Sequence, residues 1–70
     1  MNYNTPTHDE LTTIATFQGQ RKFGKEQIGV MVGIYNRIFN TRERATTCGS
    51  CVARIHKGLM DVYNRETSKL

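Results

Sequence analysis

Seventy residues allow one compact domain and no second one, because a chain this short buries only about 60% of its unfolded surface. Ten Lys and Arg against six Asp and Glu give a net charge of +4 and a pI near 9.4, a balance that favours polyanionic partners. No run of eighteen apolar residues exists, and the polar start Met1-Asn2-Tyr3-Asn4 is no export signal, so the expectation is a soluble chain without a membrane partner.

The first four residues carry no periodicity and are expected to be loose. Two helix starts follow: Pro6 suits a first helical position, and Thr7 with Glu10 fits a capping box. A first helix is predicted over residues 7–18, with Leu11, Ile14 and Ala15 on one face, Phe17 to the side and Gly19 as its stop. Gly19-Gln20-Arg21-Lys22-Phe23-Gly24 reads as a loop with a basic tip, where Phe23 is expected to pack on the core rather than stack on a base.

From Lys25 to Phe39, the positions Ile28, Met31, Val32, Tyr35, Ile38 and Phe39 recur at three-four spacing and predict a second helix. Ile28, Val30, Val32 and Ile34 also alternate as in a strand, but fifteen residues outrun a typical strand. Gly29 and Gly33 bare one strip of this helix for close approach of another backbone. Tight packing within the chain is the simpler reading, and a homodimer seam is the other.

Residues 40–47 form a polar connection, too long for the turn of a helix-turn-helix reader. A third helix is predicted over residues 47–64, capped by Thr46 or Thr47, with Val52, Ile55, Leu59 and Val62 inward and Cys48 on the same stripe. Residues 66–70 show no partner pattern and are expected to fray. The expected fold is therefore all-α: a single three-helix domain over residues 1–70, with 1–5 and 66–70 as flexible ends. A core of this size typically supplies a few kcal/mol, so a metal, a disulfide or a partner chain, a second copy included, is a reasonable supplement.

Cys48-Gly49-Ser50-Cys51 opens the third helix, where unpaired amides and the helix dipole favour a thiolate. Three readings follow. The tetrapeptide looks like the motif of thioredoxin-like proteins, yet the strand that precedes it in them is missing here. A zinc site would join Cys48 and Cys51 to His56 or His8, within one chain or shared by two, but one pair of thiolates is half of a closed set. The simplest reading is two small reduced cysteines packed at a helix start, with no cofactor, and this is the expectation adopted. Two cysteines in one motif make no disulfide framework, which fits a cytoplasmic setting.

The stretch Tyr35-Asn36-Arg37-Ile38-Phe39-Asn40-Thr41, followed by Thr47-Cys48-Gly49-Ser50-Cys51-Val52-Ala53-Arg54, resembles an arrangement in small uncharacterised proteins of tailed bacteriophages. There a Tyr-Asn helix end, a short basic loop and a CxxC-opened final helix follow one another. The resemblance covers the C-terminal half; it implies a viral origin and a setting in host cytoplasm or virion, and no activity.

No phosphate loop, nucleophile-His-acid order or placed carboxylate pair is present, so no enzyme is expected. The leading expectation is a binding module in which Arg37, Arg42, Arg44, Arg54 and Lys57 form a basic patch for nucleic acid. The alternative is a protein-interaction or virion-assembly part that docks through its second helix.

Overall fold

The computed structural model describes residues 3–45 and 48–68, which form three helices and no strand: α1 His8–Ala15, α2 Lys25–Phe39 and α3 Gly49–Ser68. The strand alternative for residues 28–34 falls away. The expected caps at Thr46 and Thr47 lie outside the described residues.

Thr7 caps α1 as its spacing with Glu10 predicts. The Thr7 hydroxyl accepts from the Glu10 amide at 3.1 Å, and the Glu10 carboxylate accepts from the Thr7 amide at 2.9 Å. Pro6 precedes the cap and is buried rather than starting the helix. The helix then ends earlier than predicted. Thr12, Thr13 and Thr16 donate their hydroxyls to carbonyls three or four residues back, a local competition that weakens helix interiors. Beyond Ala15 the chain tightens: the Phe17 and Gln18 amides bond three residues back, and Gly19 turns it at φ 74°.

Asn40 ends α2 at φ 54° and ψ 48°, its amide bonded to the Asn36 carbonyl. The inward stripe of α2 is Met31, Val32 and Ile38, flanked by half-buried Ile28, Ile34, Tyr35 and Phe39. Its glycine strip behaves differently from expectation. Gly29 and Gly33 are exposed, with nothing within 4 Å of where a Cβ would stand, and Val30 beside them is 46% exposed. Among the described residues nothing uses that strip for close packing.

The close approach occurs instead at Gly58, halfway along α3. A Cβ there would lie 2.9 Å from Cε2 of Tyr35 and 3.7 Å from Cε2 of Phe39. α3 packs against both other helices and presents Val52, Ile55, Leu59 and Val62 to them. Ile14 and Phe17 from the α1 side and Met31, Val32 and Ile38 from α2 complete one core. Burying each such aliphatic side chain contributes about 1.5–3 kcal/mol.

Tyr3 and Asn4 near one end and Glu66 near the other make contacts that the sequence pattern does not carry. The Asn4 amide donates to the Ile38 carbonyl at 2.6 Å and its side-chain amide to the Arg37 carbonyl at 2.8 Å, covering carbonyls that the end of α2 leaves open. The Tyr3 hydroxyl donates to Glu66 at 2.7 Å, and its ring lies 6.0 Å from that of Phe39. α3 runs to Ser68, past the end predicted at residue 64.

Candidate functional site

The connection after α2 is held from below by one side chain. Asn36 accepts from the Thr41 hydroxyl at 2.8 Å and the Glu43 amide at 2.9 Å, and donates to the Glu43 carbonyl at 2.9 Å. Glu43 then turns onto α3 and pairs with Arg54, whose other branch reaches the Tyr35 hydroxyl at 3.5 Å. With Glu43 pulled inward, Arg42 and Arg44 on either side are left exposed and without an ion pair among the described residues. The loop is thus a fixed support for two outward guanidinium groups.

The other three cations of the expected patch divide. Lys57 is exposed on α3 and, with Arg54, lines an open depression of about 330 Å³ whose floor includes Tyr35, Phe39 and Gly58. Arg54 shares its charge with Glu43, which raises its pKa. Arg37 is committed elsewhere: it pairs with Glu10 across α1 and α2 and donates to the Thr5 carbonyl at 3.0 Å. That pairing holds the Glu10 carboxyl below its ordinary range, with burial opposing and the Thr7 amide assisting. The structure thus sets Arg54 and Lys57 along one depression, ties the loop that carries Arg42 and Arg44 to Arg54 through Glu43, and assigns Arg37 to a clasp between helices. Asn36 and Glu43, which shape this surface, were not singled out by sequence. In the sequence Asn36 figures only as part of the Tyr-Asn helix end, and a poor helix former one turn before a helix end is the physical trace it leaves.

Cys48 is the capping residue of α3, since its carbonyl accepts from the Val52 amide at 3.0 Å. Its sulfur takes the place of a capping oxygen, accepting from the Cys51 amide at 3.4 Å with the Ser50 Oγ at 3.3 Å. The two Sγ atoms stand 2.6 Å apart, Cys51 donating to Cys48. These bonds, that from the Cys51 thiol foremost, lower the Cys48 pKa to about 7, while giving up its proton is made harder for Cys51. The pair is not packed away as expected: Cys48 is exposed and Cys51 half-exposed. A capping residue sits outside the apolar stripe that starts at Val52, and that position keeps Cys48 at the surface.

Among the described residues, no three His, Cys, Asp or Glu side chains converge on a metal position, so neither His56 nor His8 is brought to the two sulfurs. His56 is used otherwise. Its Nε2 lies 2.9 Å from the Phe17 carbonyl, which only accepts, so that nitrogen carries the proton. Its ring packs 5.1 Å from Phe23, which in turn meets Phe17 edge-on at 5.9 Å. Phe23 thus packs on the core as expected. Beside it lies an open groove of about 720 Å³, running from the basic tip Arg21-Lys22 past Phe23, Ile28 and His56 to Gly49, Val52 and Ala53.

These features define a small all-α domain with a basic loop and a dithiol at a helix start. No family model, curated protein or solved structure matches the chain. Among the described residues no helix is long and apolar enough to cross a membrane.

Proposed function

We propose that this chain is a non-enzymatic binding module of phage origin that grips nucleic-acid phosphates in the host cytoplasm or the virion. The observation that carries this reading is the pinned loop: Asn36 and the Glu43–Arg54 pair fix the backbone, and Arg42 and Arg44 face solvent from it. A loop whose backbone is already held loses less freedom on meeting a phosphate than a mobile one, although the two arginine side chains must still be ordered. Lys57 on α3 adds a third cation, and Arg54 contributes what Glu43 leaves. No helix is presented on a short turn for base reading, so binding follows phosphate charge rather than sequence.

The test is fluorescence anisotropy with labelled duplexes of unrelated sequence. Binding is expected at about 50 mM salt, with log affinity falling against log salt at a slope of about −3 for three neutralised phosphates. Arg42→Glu with Arg44→Glu abolishes most of it while the circular dichroism spectrum stays unchanged. Absence of binding by the wild type at that salt would refute the proposal. A second reading, docking on a protein through α2, is favoured by the exposed strip of Gly29, Val30 and Gly33. Under that reading Val30→Asp, and not the arginine reversal, removes the interaction.

A further inference from the structure

We propose that Cys48 and Cys51 form a stoichiometric thiol–disulfide exchange site for small anionic disulfides, Cys48 attacking and Cys51 resolving, with the groove beside Gly49 receiving the disulfide. Three observations converge on it. The sulfurs stand 2.6 Å apart, well inside non-bonded contact, so bond formation between them needs little movement of the helix start. Cys48 is exposed and takes hydrogen bonds from the Cys51 amide and thiol, which together stabilise a thiolate on that sulfur and not on its neighbour. Finally, Gly49, the residue after Cys48 in the chain, lines a groove whose other lining residues include the apolar Ile28 and Val52 and the basic Arg21 and Lys22. Neither of those two cations has an ion pair among the described residues, so the groove suits a ligand with carboxylates.

The steps balance without another reactant. The Cys48 thiolate attacks one sulfur of the disulfide RSSR; a Cys48–SR bond forms, the S–S bond of RSSR breaks and RS⁻ leaves. Cys51 then gives up its proton, its sulfur attacks that of Cys48, and a second RS⁻ leaves as the Cys48–Cys51 bond forms. The protein loses two electrons and two protons, and RSSR becomes two RSH. Among the described residues, the charged side chains that act on Cys51 are Arg54, which favours its thiolate, and Glu43, which opposes it.

The reduced full-length protein is mixed without oxygen with oxidised glutathione, an anionic disulfide, or with cystamine, a cationic one. Samples are quenched with acid and weighed intact. With glutathione the wild type is expected to lose two hydrogens, Cys51→Ser to retain one glutathionyl group on Cys48, and Cys48→Ser to react far more slowly. Glutathione should react about tenfold faster than cystamine, an effect of electrostatic steering. Arg21→Glu with Lys22→Glu should erase that preference, whereas Lys57→Glu with Arg65→Glu, an equal change of charge at a distance, should preserve most of it. A stable mixed disulfide on the wild type, equal rates at the two cysteines, or bound zinc that shields both thiols until a chelator is added overturns the exchange site. Equal rates for the two disulfides, or equal loss in both double variants, overturns the groove as its binding site.

Discussion

Replacing Gly58 by Ala in α3 and Gly33 by Ala in α2 should move stability in opposite directions. Both glycines lie inside helices, where Ala is preferred by about 0.5–1 kcal/mol. At Gly33 nothing lies within 4 Å of the new methyl group, so that preference is realised. At Gly58 the methyl carbon would stand 2.9 Å from Cε2 and 3.6 Å from Cδ2 of Tyr35, closer than carbon atoms tolerate. The ring is braced by Phe39, 4.6 Å from it centroid to centroid, and by the contact of its hydroxyl with Arg54, so a retreat into the open depression would give up both. Overpacking of this kind costs about 1–3 kcal/mol, which exceeds the propensity gain and leaves a net loss of about 0–2 kcal/mol. For a domain of this size each kcal/mol shifts the thermal midpoint by about 4–8 °C. Thermal melts followed by circular dichroism should show Gly33→Ala melting several degrees higher than wild type and Gly58→Ala no higher or lower. A Gly58→Ala protein that gains as much as Gly33→Ala would refute the seating of Tyr35 on α3.

Other consequences can be measured on the same scale. Asn36→Ala removes three side-chain hydrogen bonds to residues 41 and 43; water replaces part of them, so the expected global loss is about 1 kcal/mol. The sharper readout is hydrogen exchange at the Glu43 amide, which should accelerate, and unchanged protection there would show that Asn36 does not hold the loop. Leu59→Ala empties the fully buried centre of α3 and should cost about 2–5 kcal/mol in urea unfolding, a large share of the roughly 4–10 kcal/mol such a domain has. A loss under about 1 kcal/mol would mean that α3 is not the common wall of the core. For Glu10→Gln the effect depends on pH. The Glu10 pKa in the folded state lies below its ordinary 4.5, so the clasp's contribution is fully present above that pH and fades as the pH falls through the folded value. The melting gap between wild type and Glu10→Gln should therefore be widest near neutrality and close in acid. Arg37 is 44% exposed, so salt should narrow the gap as well, and a gap that persists at about pH 2 would refute the pairing.

The helices were legible because their apolar stripes repeat at helical spacing. Met31, Val32 and Ile38 in α2, and Val52, Ile55, Leu59 and Val62 in α3, are buried as that spacing requires. What the pattern did not carry was anything set by contact between distant segments. Gly29 and Gly33 form the motif that suggests close approach, yet the approach is at Gly58, because the partner ring of Tyr35 comes from another helix. Tyr3 and Asn4 show no periodicity, and their order comes from carbonyls at the end of α2 and from Glu66. In the basic patch, Arg37 and Arg42 look alike in sequence; only the fold places Glu10 beside the first and leaves the second without an ion pair among the described residues. The pair Cys48 and Cys51 was legible as a motif at a helix start, but not its exposure, since a capping residue and the first residue of a buried stripe differ by only a few positions.

Because α1 and α2 both pack on α3, synthesis from the N-terminus leaves the domain without its shared wall until the last third of the chain has emerged. Up to residue 48, Ile14, Phe17, Met31, Val32 and Ile38 lack the wall of Val52, Ile55, Leu59 and Val62, and the core is complete only when Val62 arrives. The Tyr3 to Glu66 hydrogen bond then joins segments 63 positions apart, after nearly all of the described chain has emerged. A nascent or truncated chain stopping before Gly49 would carry an apolar face in water, open to proteases and to other unfinished copies. Quality control by degradation would thus fall on incomplete chains and spare finished ones.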